Sequence, residues 1–265
     1  MIAIDNTDEI VKCLAKGGKA RFIDDYKDLK TAHINEAVIF RSMTQRKTVA
    51  LCEQQTRNYF YIDTGYIGNL EKRKVWHRVV PNNMQHTTPN YNLPDKRFKL
   101  ISKDKPYLPF TEWKTKGSAI LIVTPSDKPC MFYGVDRDTW LNETITELKK
   151  YTDRPIIVRD KLSRRERVGA NNIYNQFIND NIYAVVTYNS IAAIEAIGFG
   201  IPAFTLAPTA ADDLCLKDLS KIESPLYSDT EKVVKWQHWL GYCQYTPKEM
   251  LNGSVFKLIE EYNLQ

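Results

Sequence analysis

The sequence predicts an α/β protein whose carboxyl-terminal half is a doubly wound parallel sheet. Between Ser118 and Thr205, short apolar runs rich in β-branched residues alternate with segments of helical character. The first run, 118–123, is apolar and β-branched, as in strands that a parallel sheet buries on both faces, and the further predicted strands are 155–159, 182–187 and 201–205. The chain has 265 residues and is 43% hydrophobic, so it can bury one large core or two small ones.

The helices of this half lie between the strands. They are predicted over 138–151, 166–178 and 190–198. Crossovers between parallel strands are right-handed, and the loops that follow the strands therefore gather along one edge of the sheet. Ligands bind at that edge in folds of this kind. Thr124, Arg159 and the pair Asn189–Ser190 follow three of the strands, so we expect them at a ligand site.

The amino-terminal half is less regular. Helices are predicted over 8–16 and 44–55 and strands over 36–40 and 58–63, with Gly17–Gly18 ending the first helix. Prolines and asparagines are frequent from 80 to 112, which indicates mostly loop. We therefore predict two domains, residues 1–112 and residues 113–265.

The aromatic stretch from Trp236 to Tyr245 is predicted to be core. Thr246 and Pro247 then have the pattern of a helix N-cap followed by a proline in the first turn. A last helix is therefore predicted to begin at this point.

The distribution of charges and cysteines indicates which ligands and which cellular compartment suit this protein. The formal net charge is +5, and basic residues cluster at 71–78 and 159–167. Such clusters suit a polyanion or a pyrophosphate, or they form a solvated helix face. The five cysteines include no CxxC pair, which argues against a zinc site and a disulfide scaffold and favours a reducing cytoplasm. No secretory signal is expected, and no apolar run reaches the roughly 18–20 residues of a membrane span.

The segment from Val186 to Pro202 carries the most chemical information. A buried strand enters a tight turn in which Asn189 or Ser190 is predicted to cap the following helix. Glu195 is a carboxylate within an apolar, alanine-rich helix. A buried acid needs a partner, and vicinal ribose hydroxyls would supply one. The alternative is a glutamate on the solvent side or one paired with a nearby basic residue.

This strand–Asn–Ser–helix segment, with EAIGFGIPAF, resembles the carboxyl-terminal domain of GT-B glycosyltransferases of the capsule-polysaccharide-biosynthesis type. The resemblance implies two Rossmann-like domains, of which the amino-terminal one is reduced. It implies that Ser190 binds the donor phosphate and that Glu195 binds the donor ribose. Pro202 follows the glycine turn as in the G-x-P of this family. A related pattern occurs in sugar-nucleotide 2-epimerases, so the motif indicates the ligand class better than the reaction.

Further site residues follow from strand ends. Arg159 and Lys161 could neutralise a pyrophosphate, the first through a bidentate fork and the second as a point charge. An inverting glycosyltransferase needs a carboxylate that deprotonates the acceptor hydroxyl. Asp63, at a strand end before a glycine turn, is the first candidate, and Asp5 and His77 are weaker ones. Asp63 could instead merely cap the turn.

The predicted function is transfer of a sugar from a nucleotide sugar to an acceptor hydroxyl, without cofactor or metal, because no D-x-D follows a strand. The chain is short for this architecture and resembles compact bacteriophage forms, which suggests a hydroxymethylated pyrimidine in DNA as acceptor. A polyanion-facing set is then expected: Arg73, Lys74, His77 and Arg78. The alternatives are a cell-surface polysaccharide acceptor, a sugar-nucleotide epimerase and a non-catalytic nucleotide-binding module. A dehydrogenase is disfavoured because no G-x-G-x-x-G follows a strand.

Overall fold

The computed structural model describes residues 1–69, 75–102, 109–161 and 171–264. These residues form two sheets, each flanked by helices. The first four strands of each sheet, counted along the chain, are parallel and lie in the same spatial order, second–first–third–fourth. The molecule is therefore built from two Rossmann-like halves.

The first sheet is formed largely by the amino-terminal half. Its strands are β1 (Ile2–Ile4), β2 (Arg21–Ile23), β3 (Val38–Arg41), β4 (Tyr59–Thr64) and β5 (His77–Pro81), and its helices are α1 (Glu9–Gly17), α2 (Arg46–Gln54) and α3 (Lys96–Ile101). Strand β5 runs antiparallel to β4. Helix α1 begins where the Asp8 carboxylate accepts hydrogen bonds from the amides of Ile10 and Val11, 2.8 and 3.1 Å away.

The second sheet is wholly parallel. Its strands are β6 (Ala119–Val123), β7 (Ile156–Arg159), β8 (Ile182–Thr187) and β9 (Ala203–Thr205), and its helices are α4 (Asp127–Tyr133), α5 (Arg137–Leu148), α6 (Ile173–Asn179) and α7 (Ala192–Gly198). All the residues of β6 and β8 are buried, as the continuous apolar runs predict.

The carboxyl-terminal segment returns to the first sheet. Helix α8 (Thr230–Tyr242) leads into β10 (Gln244–Tyr245), which pairs antiparallel with β5. Helices α9 (Pro247–Leu251) and α10 (Ser254–Tyr262) follow. Thr246 caps α9 in a reciprocal capping box with Glu249, so the predicted cap is confirmed. Trp236 and Trp239 are fully buried, which confirms that the aromatic stretch is core.

Apolar side chains cover both faces of each sheet. In the first sheet Val38 and Phe40 belong to one buried cluster, and Ile39, between them, belongs to the other. In the second sheet Leu121 and Ile122 point to opposite clusters in the same manner. This alternation is the period-two geometry of a strand. Both sheets are consequently rigid supports for the loops at their edges.

Several predicted elements need correction. Among the described residues, the stretch 80–112 is mostly loop, as predicted, but it also contains α3, and β1, β2, β5, β10 and α4 were not predicted. Helix α1 does end at Gly17 with Gly18 as its C-cap, as predicted, and Gly18 has a φ of −89°. The glycine at position 17 also allows helix packing, because a Cβ there would lie 1.9 Å from the Met250 carbonyl oxygen. Part of the helix predicted over 166–178 lies outside the described residues, and α6 begins at Ile173.

Candidate active site

A cleft of about 310 Å³ lies between the carboxyl edges of the two sheets. Strands β4, β6, β7 and β8 all end at it, as expected for ligand sites in folds with parallel sheets. The polar residues that line it come from both halves: Asp63, Thr64, Tyr66, Asn69, Arg78 and Gln85 from the first, and Thr124, Ser126, Lys128, Arg159, Asp160, Lys161, Asn189, Ser190 and Glu195 from the second.

The turn between β8 and α7 forms one wall of the cleft. Asn189 is buried, and Ser190 and Glu195 are half-buried. Ile191 occupies the N-cap position, so the prediction of Asn189 or Ser190 as N-cap is wrong by one or two residues. The Ser190 hydroxyl accepts a hydrogen bond from the Ala192 amide at 3.3 Å, and this short local bond turns the chain before the helix begins.

Glu195 reaches the cleft from within α7. Its neighbours Ala192, Ala193 and Ala196 are buried, which confirms that this helix packs closely against the sheet. Glu195 and Ser190 therefore lie on one wall, as the sequence predicts. The carboxylate can accept hydrogen bonds from a ligand, and the hydroxyl can accept or donate them.

The predicted cations at the end of β7 also line the cleft. Arg159 donates through Nη1 to Gln176 Oε1 at 2.7 Å and through Nη2 to the Asn171 carbonyl oxygen at 2.5 Å. Lys161 donates to the Ser126 hydroxyl at 3.0 Å. These contacts hold the Arg159 guanidinium toward α6, so part of its fork supports the local structure.

Thr124 ends β6 next to these cations. Its hydroxyl donates to Asp160 Oδ1 at 2.8 Å, and its side chain is buried. The loops after β6 and β7 are thereby joined at the cleft.

Asp63 faces the cleft from the end of β4. Its Oδ2 accepts from the Tyr61 hydroxyl at 2.7 Å and from Arg78 Nη2 at 3.2 Å, and its Oδ1 accepts from the Thr64 amide at 2.7 Å. Burial acts to raise the pKa of this carboxyl, but Arg78 and the two hydrogen-bond donors outweigh it and lower the pKa below its ordinary value. Asp63 is therefore ionised at neutral pH, and its side chain keeps 34% exposure.

Arg78 is the buried partner of this carboxylate. It is 4% exposed, donates to the Thr64 carbonyl oxygen at 3.0 Å, and lies 5.1 Å from the centre of the Tyr66 ring. Burial opposes its charge, but Asp63 and the neighbouring tyrosines raise its pKa. A fixed ion pair thus lies on the wall opposite Glu195.

Other predicted residues lie elsewhere. His77 is 2% exposed within β5 and does not line the cleft. Asp5 is exposed and also does not line it. Arg73 and Lys74 lie outside the described residues, as do the basic positions from Arg164 to Arg167. Among the described residues of the predicted polyanion-facing set, Arg78 lines the cleft and His77 does not.

Four polar residues that line the cleft were not predicted from the sequence: Tyr66, Asn69, Gln85 and Lys128. The pattern Thr124-Pro125-Ser126 indicated a loop at the cleft, but the helix that follows it was not predicted. Ser126 followed by Asp127 is a reasonable helix start, and this signal could have placed Lys128 in the first turn. Gln85 and Tyr66 carry no comparable signal, because they meet through hydrogen bonding across a long loop.

Within the described ranges, the structure contains no group of three or more His, Cys, Asp or Glu residues arranged to hold a metal ion. Across the same part of the chain, no helix combines the length and the apolar character that crossing a bilayer requires. All five cysteines are free thiols.

The two sheets and the cleft between them form a two-domain GT-B-like α/β architecture. No protein-family model matches the chain, and no curated protein matches it. Two solved structures of KpsC from Thermosulfurimonas dismutans are similar to it. The beta Kdo 2,4 transferase is 14% identical with a TM-score of 0.50, over 89% of each chain. The beta Kdo 2,7 transferase is 11% identical with a TM-score of 0.54, over 98% of each chain.

At these identities the similarity concerns the fold. The predicted GT-B-like arrangement of two Rossmann-like halves is confirmed, and so is the resemblance in architecture to the capsule type. The cleft described above is the space between those two halves.

Proposed function

We propose that this protein is a glycosyltransferase that moves a sugar from a nucleotide-sugar donor to an acceptor hydroxyl. One observation carries the proposal: the facing carboxyl edges of two Rossmann-like sheets enclose a cleft with Ser190 and Glu195 on one wall and Asp63 on the other. A donor bound on one sheet would thereby present its sugar to an acceptor bound on the other. The KpsC transferases share this fold and support the assignment.

The donor is assigned to the second sheet. Glu195 would accept hydrogen bonds from the ribose hydroxyls, and Ser190 and Asn189 would bind the phosphate. Thr124 and Lys161 lie beside them at the ends of β6 and β7. Arg159 contributes positive charge, although two of its donor groups are directed to Gln176 of α6 and to the Asn171 carbonyl oxygen.

Asp63 is assigned as the carboxylate that accepts the proton of the acceptor hydroxyl. Its charge is held by Arg78, and its exposed portion faces the cleft. A lowered pKa makes it a weaker base, but it also keeps the carboxylate unprotonated across the neutral pH range.

For the acceptor we propose a saccharide rather than DNA. His77 and Arg78 belong to the basic stretch that suggested a polyanion, but His77 is buried in β5 outside the cleft, and Arg78 is buried and paired with Asp63. Since both KpsC structures are named as Kdo transferases, Kdo is placed first among the sugars to be tested. We expect activity to persist in EDTA, because no D-x-D in the sequence follows a strand: Asp136-Arg137-Asp138 lies at the start of α5.

The first experiment is a thermal-shift screen against nucleoside phosphates and nucleotide sugars, including nucleotide-activated Kdo. A ligand that binds only the folded state raises the melting temperature, by mass action equivalent to about 2.7 kcal/mol at a concentration of 100 Kd. Glu195→Ala should abolish the shift. Glu143→Ala, an exposed glutamate of α5, is the matched control and should retain it.

Product analysis separates the remaining functions. Transfer to a saccharide supports the proposal, whereas donor conversion without acceptor identifies an epimerase. Transfer to hydroxymethylated DNA, with affinity falling steeply as salt rises, would overturn the saccharide acceptor. If no nucleotide or nucleotide sugar shifts the wild-type protein, the donor site itself is refuted.

A further inference from the structure

Lys128 is a cleft-lining cation near the amino end of α4 whose partner belongs to the other half of the molecule. Its Nζ donates to the Ser42 hydroxyl at 3.1 Å, and Ser42 follows β3 of the first sheet. Among the ion pairs of the described residues, none includes Lys128. The adjacent carboxylate, Asp127, is directed to Arg137. The ammonium therefore has a neutral hydroxyl as its partner within the described residues.

The turn at Ser42 has hydrogen bonds of its own besides the one with Lys128. The Ser42 hydroxyl also accepts from the Thr44 amide at 3.4 Å and shares a hydrogen bond with the Thr44 hydroxyl at 3.1 Å. Ser42 has φ of 80°, a left-handed conformation that is uncommon for residues other than glycine. Since Thr44 supplies two partners, this turn does not depend on the lysine.

Helix α4 holds Lys128 at the junction. The helix belongs to the second half in sequence, yet Phe132 and Tyr133 pack against the core of the first sheet. Arg46 Nη1 also donates to the Met131 carbonyl oxygen at 3.4 Å. The backbone of α4 is thus anchored on both halves, and the four-carbon side chain of Lys128 can move while its helix stays in place.

The other cations of the cleft already have partners within the second half or across β4 and β5. Arg78 is paired with Asp63, Arg159 donates to Gln176 and to the Asn171 carbonyl, and Lys161 donates to the Ser126 hydroxyl. A phosphoryl group in the cleft would attract the exposed ammonium more strongly than a serine hydroxyl does, because that interaction joins two opposite charges.

We infer that Lys128 binds the phosphate of the donor, exchanging its hydrogen bond with Ser42 for one with a phosphoryl oxygen. This inference rests on the proposed function, and it adds a donor-binding residue supplied from the junction of the two halves. The Lys128–Ser42 bond then holds the ammonium at the cleft before the donor arrives.

The test is calorimetric titration of the wild-type protein and of Lys128→Met with the mono- and diphosphates of adenosine, cytidine, guanosine, uridine and thymidine, and with the parent nucleosides. Lys128→Met should weaken binding of the preferred nucleotide about tenfold or more and leave binding of its nucleoside unchanged. It should also reduce the dependence of nucleotide affinity on salt. Lys149→Met removes an equal charge from the exposed end of α5 and should leave both affinities unchanged.

The Ser42→Ala variant tests whether Lys128 leaves Ser42 to bind phosphate or whether the Lys128–Ser42 hydrogen bond only holds the two halves together. If the hydroxyl competes with phosphate, this variant binds the nucleotide as tightly as the wild type or more tightly. A loss equal to that of Lys128→Met would overturn the inference, because both residues would then act only by holding the halves together. Unchanged nucleotide affinity in Lys128→Met would also overturn it, with the proposed function intact. If the wild-type protein binds no nucleotide, the proposed function and this inference fail together.

Discussion

Asp63 and Arg78 are direct cross-strand partners in the antiparallel pair β4–β5, and their side chains meet with Oδ2 of the aspartate 3.2 Å from Nη2 of the arginine. The register of the two strands therefore sets the charge state of the cleft carboxylate. Opposite charges on directly opposed residues stabilise a sheet, and here the same pair also presents an ionised oxygen to the cleft.

Replacing Asp63 by Asn should remove transfer activity while sparing donor binding. Asn has nearly the same shape but cannot accept the acceptor proton, and general base catalysis contributes about 10²- to 10⁴-fold. We expect kcat to fall by about this factor and the affinity for the nucleotide sugar to stay within about twofold of wild type. Asp153→Asn, an exposed residue before β7, is the control. An Asp63→Asn variant with full kcat would exclude the assigned base.

Replacing Arg78 by Met should move the acidic limb of the pH–activity profile to higher pH. In the wild type, Arg78 keeps the pKa of Asp63 low, so the base stays ionised until the pH falls below the usual aspartate range. Without the guanidinium, burial raises that pKa relative to the wild type, and protonation inactivates the enzyme at a higher pH. The measurement is kcat/KM against pH.

The control for this profile is Arg78→Lys, which retains a positive charge and should shift the limb less than Arg78→Met does. An acidic limb at the same pH in wild type and Arg78→Met would show that Asp63 is not the group whose ionisation controls activity.

Replacing Gln244 by Ala should loosen the loop that follows β4. Gln244 is fully buried in β10, where its Nε2 donates to the Ile67 carbonyl oxygen at 2.9 Å and its Oε1 accepts from the Ile67 amide at 3.1 Å. Losing both bonds leaves buried polar groups without partners and should cost about 1–3 kcal/mol of unfolding free energy. Hydrogen exchange at the Ile67 amide should accelerate. Unchanged protection of that amide would contradict this role of the carboxyl-terminal segment.

Replacing Gly200 by Ala should destabilise the protein more than the same change at Gly134. Both glycines have positive φ, 89° and 69° respectively. A Cβ at Gly200 would lie 2.4 Å from the Glu112 carbonyl oxygen, whereas nothing lies within 4 Å of one at Gly134. Gly134→Ala should therefore show only the backbone cost, about 1 kcal/mol, and Gly200→Ala about 2 kcal/mol more. Denaturant unfolding of the two variants gives this difference, and equal losses would contradict the predicted clash.

The sequence predicted best the elements that bury continuous apolar runs. Strand β8 occupies the predicted residues 182–187, and β6, β7 and β4 agree with prediction to within about one residue at each end. These runs are long enough to show a pattern, and every residue of β6 and β8 is buried. The loops after such strands were therefore also predictable, and Thr124, Arg159, Ser190 and Glu195 line one cleft.

Short and pairing-dependent elements were not predictable in the same way. Strand β10 has two residues, too few to show any periodicity, and it forms only because β5 offers an edge. His77 and Arg78 read as part of a basic surface cluster, yet β4 and β10 enclose them from both sides.

The amino-acid sequence by itself determined the α/β class, the doubly wound second sheet and the side chains at its ligand edge, because hydrophobic periodicity and turn residues act locally. Only the tertiary structure decided what faces that edge. The pairing of Asp63 with Arg78 across β4 and β5, and the contact of Lys128 with Ser42 across the two halves, join residues that are 15 and 86 positions apart. Such contacts depend on how sheets and helices pack in space, and no local pattern in the chain encodes them.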